Sequence, residues 1–272
     1  MQITVVQPDY LIGENPDKQN REFIIKQLNY TPDNGLILFP EYSNAGGVSA
    51  PEDEKAAMRY AKDILEAAAN AAKEHSAFVA VNVLEQRGGK IKNSTYLFNR
   101  NGETAFVYDK QHLPRSEVKL GVEVGTENYP CRCICDCDGL RFAFLTCYDV
   151  YFNEQIEYIA KQKPDIILLP GLQRGERRDI LKAQTKMIAF RCNAYVVKSS
   201  FSMKSNKFGG CSMIVRPDGK ILKNMGADVG NATVDVDLSY KYYRPAGYGE
   251  SPVRNDDFIN AGLCPDVFIS AK

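Results

Sequence analysis

The chain is 272 residues long, with 44% hydrophobic and 25% charged residues, enough for a large core and within the ordinary composition of a globular protein. Its 34 basic residues balance its 34 acidic ones, so no overall field draws it to nucleic acid or an anionic membrane. No apolar run approaches the ~18 residues that cross a bilayer, and 8 cysteines over this length are not the dense framework of a small secreted domain. Met1 to Gln7 opens directly on an alternating apolar run without a basic leader, so we expect a cytoplasmic protein with reduced thiols. Its expected partners are small molecules or its own copies.

Ile3 to Val6 and Leu36 to Phe39 read as buried strands, and Phe23, Ile24 and Leu28 between them have helical spacing. From Ala57, the positions Tyr60, Ala61, Ile64, Leu65, Ala68, Ala71 and Ala72 paint one face of a long helix. Strand Phe78 to Leu84 follows. The period then falls to two, where Thr95 to Phe98 and Thr104 to Tyr108 flank the hairpin pair Asn101-Gly102.

The second half repeats this order. Strand Phe142 to Thr146, a helix around Gln155 to Gln162, strand Ile166 to Leu169, a helix from Asp179 to Phe190 and strand Tyr195 to Ser199 follow one another. A hairpin then turns at Pro217-Asp218-Gly219, and Ala232 to Val236 reads as a further strand. Each half supplies about two helices, too few to cover both faces of its own sheet. Pairing the sheets face to face with helices outside covers the apolar surface, so the expected fold is a four-layer α-β-β-α sandwich in one domain. Residues 240–272, rich in Tyr, Pro, Gly and Asn, are expected to form an extended tail on this body or on a neighbouring subunit.

Chemistry gathers at strand ends. Cys147 closes an apolar strand before a predicted helix, a place where a helix N-terminus favours a thiolate. Alone, the position is more often that of a core thiol. Glu41 follows Leu36-Ile37-Leu38-Phe39-Pro40, a half-buried setting in which a carboxylate can accept a thiol proton. Lys110 follows strand Phe106-Val107-Tyr108-Asp109; singly, it reads as a solvated cation.

Together, Pro40-Glu41, Lys110-Gln111-His112-Leu113 and Cys147-Tyr148-Asp149 with Phe152 and Glu154 resemble the three ordered signatures of the nitrilase superfamily, the carbon-nitrogen hydrolases. The resemblance extends through Arg191 to Val197, Gly209-Gly210-Cys211-Ser212 and the Pro217-Asp218-Gly219 turn. It implies the same α-β-β-α fold, with Cys147 as nucleophile, Glu41 as general base, and Lys110 and the Tyr148 backbone N–H as stabilisers of the oxyanion. Glu117 matches a second glutamate of the family, although Leu120 to Gly125 lacks the Pro-Gly that usually follows. Asn153 stands where the family often has proline, a change that alters a helix start.

Arg174, Arg177 and Arg178 follow another strand end; Arg174 is the candidate to hold a substrate carboxylate, against a plain solvated helix start. His112 lies inside the lysine motif and reads as structural, which disfavours a Cys-His dyad. Cys131, Cys133, Cys135 and Cys137 alternate along one predicted strand. Same-face neighbours on a strand lie ~6.6 Å apart whereas zinc needs each sulfur at ~2.3 Å, so the ladder is assigned to a sheet face beside an Asp138-Gly139 turn. No metal or organic cofactor is expected. The resulting expectation is hydrolysis of a small amide or N-carbamoyl compound through a cysteine thioester by a homo-oligomer. Nitrile hydrolysis, acyl transfer or an inactive binding module on the same fold are the alternatives.

Overall fold

The computed structural model describes residues 1–48, 51–125 and 133–263. Its first sheet has the order β12-β1-β2-β3-β4-β5, built from β1 (Gln2–Gln7), β2 (Leu36–Leu38), β3 (Phe78–Arg87), β4 (Lys90–Phe98), β5 (Thr104–Asp109) and β12 (Gly230–Asp235). The second has the order β11-β10-β9-β8-β7-β6, from β6 (Ile134–Cys137), β7 (Leu140–Phe144), β8 (Ile166–Pro170), β9 (Tyr195–Ser199), β10 (Met213–Val215) and β11 (Ile221–Asn224). In each sheet three strands are parallel, β1-β2-β3 and β7-β8-β9, and a hairpin strand extends them. An antiparallel strand closes the other side of each: β12 beside β1 and β6 beside β7. The repeated element order is thus a repeated topology.

Strand alternation decides which side chains face which layer. In β2, Leu36 and Leu38 enter the large core that also holds Phe142, Phe144, Val197 and Ile214 of the second sheet, while Ile37 enters a separate cluster with Ile24, Ile64 and Ala68 of the helices. Phe78 meets Phe142 across the sheets, ring centroids 5.0 Å apart. Helices α1 (Pro16–Leu28) and α3 (Ala61–Glu74) pack together outside the first sheet, and α5 (Asn153–Lys161) and α6 (Arg178–Cys192) do the same outside the second. This is the four-layer sandwich.

Several boundaries differ from the sequence reading. The long helix expected from Ala57 is divided into α2 (Pro51–Ala57), a 3₁₀ turn Met58–Tyr60 and α3. A second hairpin joins β3 to β4 through Gly88 and Gly89, both at positive φ. The short α4 (Arg115–Leu120) was not expected; it ends at Gly121, whose φ of 87° suits glycine.

The segment from Tyr240, expected to run extended, instead forms the pair β13 (Tyr243–Arg244) and β14 (Val253–Arg254) and then α7 (Asn255–Ala261). Asn255 donates to the Phe190 carbonyl at 2.6 Å and Asn193 donates to Asp256 at 2.8 Å, which fastens α7 to the end of α6. Cys131 and Val267 lie outside the described residues. Of the remaining cysteine ladder, Cys135 and Cys137 stand on β6, and Cys133 precedes that strand, buried in the core.

Candidate active site

The carboxyl ends of β2, β5, β7 and β8 converge at one edge of the sheet pair. Past β2 the chain turns sharply at Tyr42, φ 56°, and Asn82 of β3 fixes that turn by accepting the Tyr42 N–H at 2.8 Å. Glu41 thereby points inward and is buried, 1% exposed, deeper than the half-buried position anticipated. Lys110 is placed by its own N–H, which donates to the Asn93 carbonyl of β4 at 2.9 Å. It too is 1% exposed.

Cys147 follows β7 with φ 48°, the left-handed region that non-glycine residues rarely occupy. Thr146 and Asp149 form a reciprocal capping box around this turn. Asp149 also accepts the Tyr108 hydroxyl at 2.7 Å, the His112 N–H at 3.0 Å and a His112 ring contact at 2.9 Å. One buried carboxylate therefore ties the cysteine turn to the lysine segment. His112 stacks on Phe152, centroids 3.7 Å apart, consistent with its structural reading.

The charged centre is dense. Lys110 Nζ donates to Glu41 Oε1 at 2.7 Å and to Glu117 Oε1 at 2.9 Å. Asn93 Nδ2 lies 2.9 Å from the same two oxygens, and the Tyr42 hydroxyl donates to Glu117 Oε1 at 2.7 Å. Burial works to discharge Lys110, but the negative charges of Glu41, Cys147 and Glu117 outweigh it and hold the ammonium more firmly protonated than usual. Burial pushes the Glu117 carboxyl above the ordinary carboxylate range, against the pull of Lys110. Burial likewise raises the Tyr42 phenol, reinforced by Glu117 and Glu41. Glu117 Oε1 accepts three hydrogen bonds while its Oε2 is buried with no partner among the described residues.

The environment of Cys147 corrects one expectation. Burial pushes its thiol up, Glu41 adds to the rise, and Lys110 with the Leu172 N–H only partly opposes them. The predicted helix does not begin at the cysteine: a 3₁₀ turn spans Cys147–Tyr151, and α5 starts at Asn153. A short turn carries little of the dipole that would lower a thiol.

Glu41, Lys110, Glu117 and Cys147 line the floor of a cleft of about 110 Å³. Ala45, Val48, Pro114 and Leu172 form apolar walls, and Tyr10, Glu54 and Arg174 stand at its border. Arg174 is exposed, lies over the Tyr10 ring at 5.3 Å and donates to its hydroxyl at 2.5 Å. Arg177 instead pairs with Asp179, and Arg178 reaches the Gly209 carbonyl. Tyr42, Asn93 and Glu54 were missed in the sequence. A polar residue inside an otherwise strand-like run was the available signal for Asn93; Glu54 had none.

Residues 23–244 match the model of the carbon-nitrogen hydrolase family. The chain belongs to that family. It is 24% identical over 247 residues to a 2-oxoglutaramate amidase of Bacillus subtilis (strain 168), covering 87% of this chain and 90% of that protein. It is 23% identical over 212 residues to an (R)-stereoselective amidase of Pseudomonas sp, covering 76% and 74%. Among solved structures, the amidase of Nesterenkonia sp. AN1 carrying the acetamide moiety of fluoroacetamide on its active-site cysteine superposes with a TM-score of 0.75 at 16% identity, over 100% of this chain and 97% of that one. A likeness at that identity supports the shared sandwich fold of this carbon-nitrogen hydrolase.

Proposed function

We propose that this carbon-nitrogen hydrolase cleaves the C–N bond of a small amide or N-carbamoyl compound, with Cys147 as nucleophile, Glu41 as proton carrier and Lys110 as oxyanion stabiliser. The observation that carries the reading is the floor of the cleft, where Lys110 Nζ is held between two carboxylates and opens onto the same space as the thiol. Such a set supplies nucleophile, base and charge stabiliser from different strand ends.

In the proposed reaction Glu41 takes the Cys147 proton and the sulfur attacks the carbonyl carbon. Lys110 Nζ and the Tyr148 N–H receive the oxyanion. As the C–N bond breaks, Glu41 gives its proton to the departing nitrogen, leaving a thioester. Glu41 then draws a proton from water, hydroxide attacks the thioester, and the acid leaves as the proton returns to sulfur. The partnerless Glu117 Oε2 is suited to accept a hydrogen bond from the substrate N–H.

Arg174 at the cleft border is suited to a substrate carboxylate, and its stacking on Tyr10 limits the freedom lost on binding. The similarity to the 2-oxoglutaramate amidase agrees with an acidic amide. No helix among the described residues is long and apolar enough to cross a membrane. We place the protein in the cytoplasm and assign it as a homo-oligomer; equilibrium sedimentation of the purified chain tests the oligomer, and fractionation of cells tests the location.

The deciding experiment is ammonia release from short amides, ureido acids and nitriles, with intact-mass detection of the acyl adduct. The proposal requires turnover of an amide or carbamoyl substrate and an adduct on Cys147. Full turnover by Cys147→Ala would refute it, and release of ammonia from nitriles alone would replace amide by nitrile as the substrate.

A further inference from the structure

Lys198 lies in β9, 1% exposed, and its amino group has no hydrogen-bond partner among the described residues. A buried polar atom without a partner is costly, more so when charged, so its presence calls for a physical reason. Its surroundings supply one. A β-carbon built on Gly171 would lie 3.6 Å from Lys198 Nζ, 3.6 Å from Gln173 Oε1 and 3.8 Å from Cys147 Cα. The amine therefore stands beside Gly171, the same residue whose other neighbour is the backbone of Cys147.

The groups whose charge it feels are Cys147 at the end of β7, Cys211 ahead of β10 and Glu41 past β2, each of which favours the ammonium form. Burial outweighs them and pushes the amine down. Lys198 is too enclosed to meet substrate, and it does not line the cleft. Lys110, by contrast, is committed to Glu41 and Glu117.

We infer that Lys198 is a positioning residue for Cys147, its buried amino group serving as counter-ion to the thiolate. The inference rests on Cys147 being the nucleophile. When the S–H bond breaks, the sulfur's proton passes to Glu41, and Lys198 takes up a proton from a hydronium ion or buffer acid of the solvent, whose conjugate base stays in solution, so thiolate and ammonium appear together. The ion pair then offsets the burial that disfavours the thiolate.

The test is the pH dependence of Cys147 alkylation by iodoacetamide in the full chain without substrate, located by peptide mapping so that Cys211 is counted separately. Lys198→Met keeps the length of the side chain and removes the amine. It is expected to move the profile to higher pH and slow alkylation at neutral pH by about tenfold, one pKa unit. Lys198→Arg carries a permanent charge and is expected to move the profile to lower pH. A folded Lys198→Met protein with the wild-type profile would overturn the inference. If that variant fails to fold, an unshifted profile in Lys198→Arg overturns it equally. Because alkylation needs no substrate, the result is separable from failure of the amide-hydrolysis reading, which turnover measures.

Discussion

The two sheets bring unlike halves to the same cleft. From the first come Glu41, Lys110 and Asn93, with Tyr42 and Glu117 on adjoining segments, joined by hydrogen bonds of 2.7–2.9 Å. From the second comes Cys147, in a left-handed turn, with the Lys198 amino group near it making no hydrogen bond among the described residues. The first half is stabilised by mutual satisfaction of its charges. The second is held by its turn and by Asp149, which set the sulfur between the Leu172 N–H and Glu41. A charged network has to be satisfied before it can be buried, whereas a nucleophile is activated by the base placed beside it.

If the halves differ in this way, substitutions should separate rate from stability. Cys147→Ala is expected to lower turnover by at least ~10⁴-fold while leaving the thermal midpoint nearly unchanged; ammonia release and calorimetry together check both. A large loss of stability would contradict the division.

Lys110→Ala should remove activity and also destabilise by about 3–5 kcal/mol, because it strands two buried carboxylates. Urea unfolding measures this, and a variant as stable as the parent would dissolve the comparison. Asn93→Ala should cost about tenfold in turnover and roughly 1–2 kcal/mol, since Lys110 still holds both carboxylates.

The smallest effect concerns pH. The raised Glu117 carboxyl keeps its proton in the folded state to higher pH than in the unfolded chain. The folded state then binds more protons, so stability should fall as pH rises from the ordinary carboxylate value through the raised one. Glu117→Gln should flatten that slope in urea midpoints taken across pH, and an equally steep slope in the variant would assign the effect elsewhere.

Residues with a strong local pattern were legible. Leu36, Ile37 and Leu38 face alternate layers, and Asn101-Gly102 turns the β4-β5 hairpin with Gly102 at φ 78°. Glu41, Lys110, Glu117 and Cys147 share one cleft. Less was readable where the pattern was short or ambiguous. Helix α4 spans only Arg115–Leu120, too brief for a helical period, and the helical spacing that runs from Tyr60 into α3 conceals a break at Met58–Tyr60.

By itself the sequence determined most strands of the two sheets and their repeated order, because those depend on periodicity, while the candidate reactive groups stood out through the resemblance of three ordered segments to the nitrilase superfamily. Only the tertiary structure decided that Asn93 bridges the carboxylates of Glu41 and Glu117 and that Tyr42 donates to Glu117. It also decided that the Cys147 thiol is raised and that the Lys198 amino group is buried without a hydrogen-bond partner among the described residues. Each of those properties depends on distance and burial between segments far apart in the chain, and elements close to a residue in sequence do not set its charge environment.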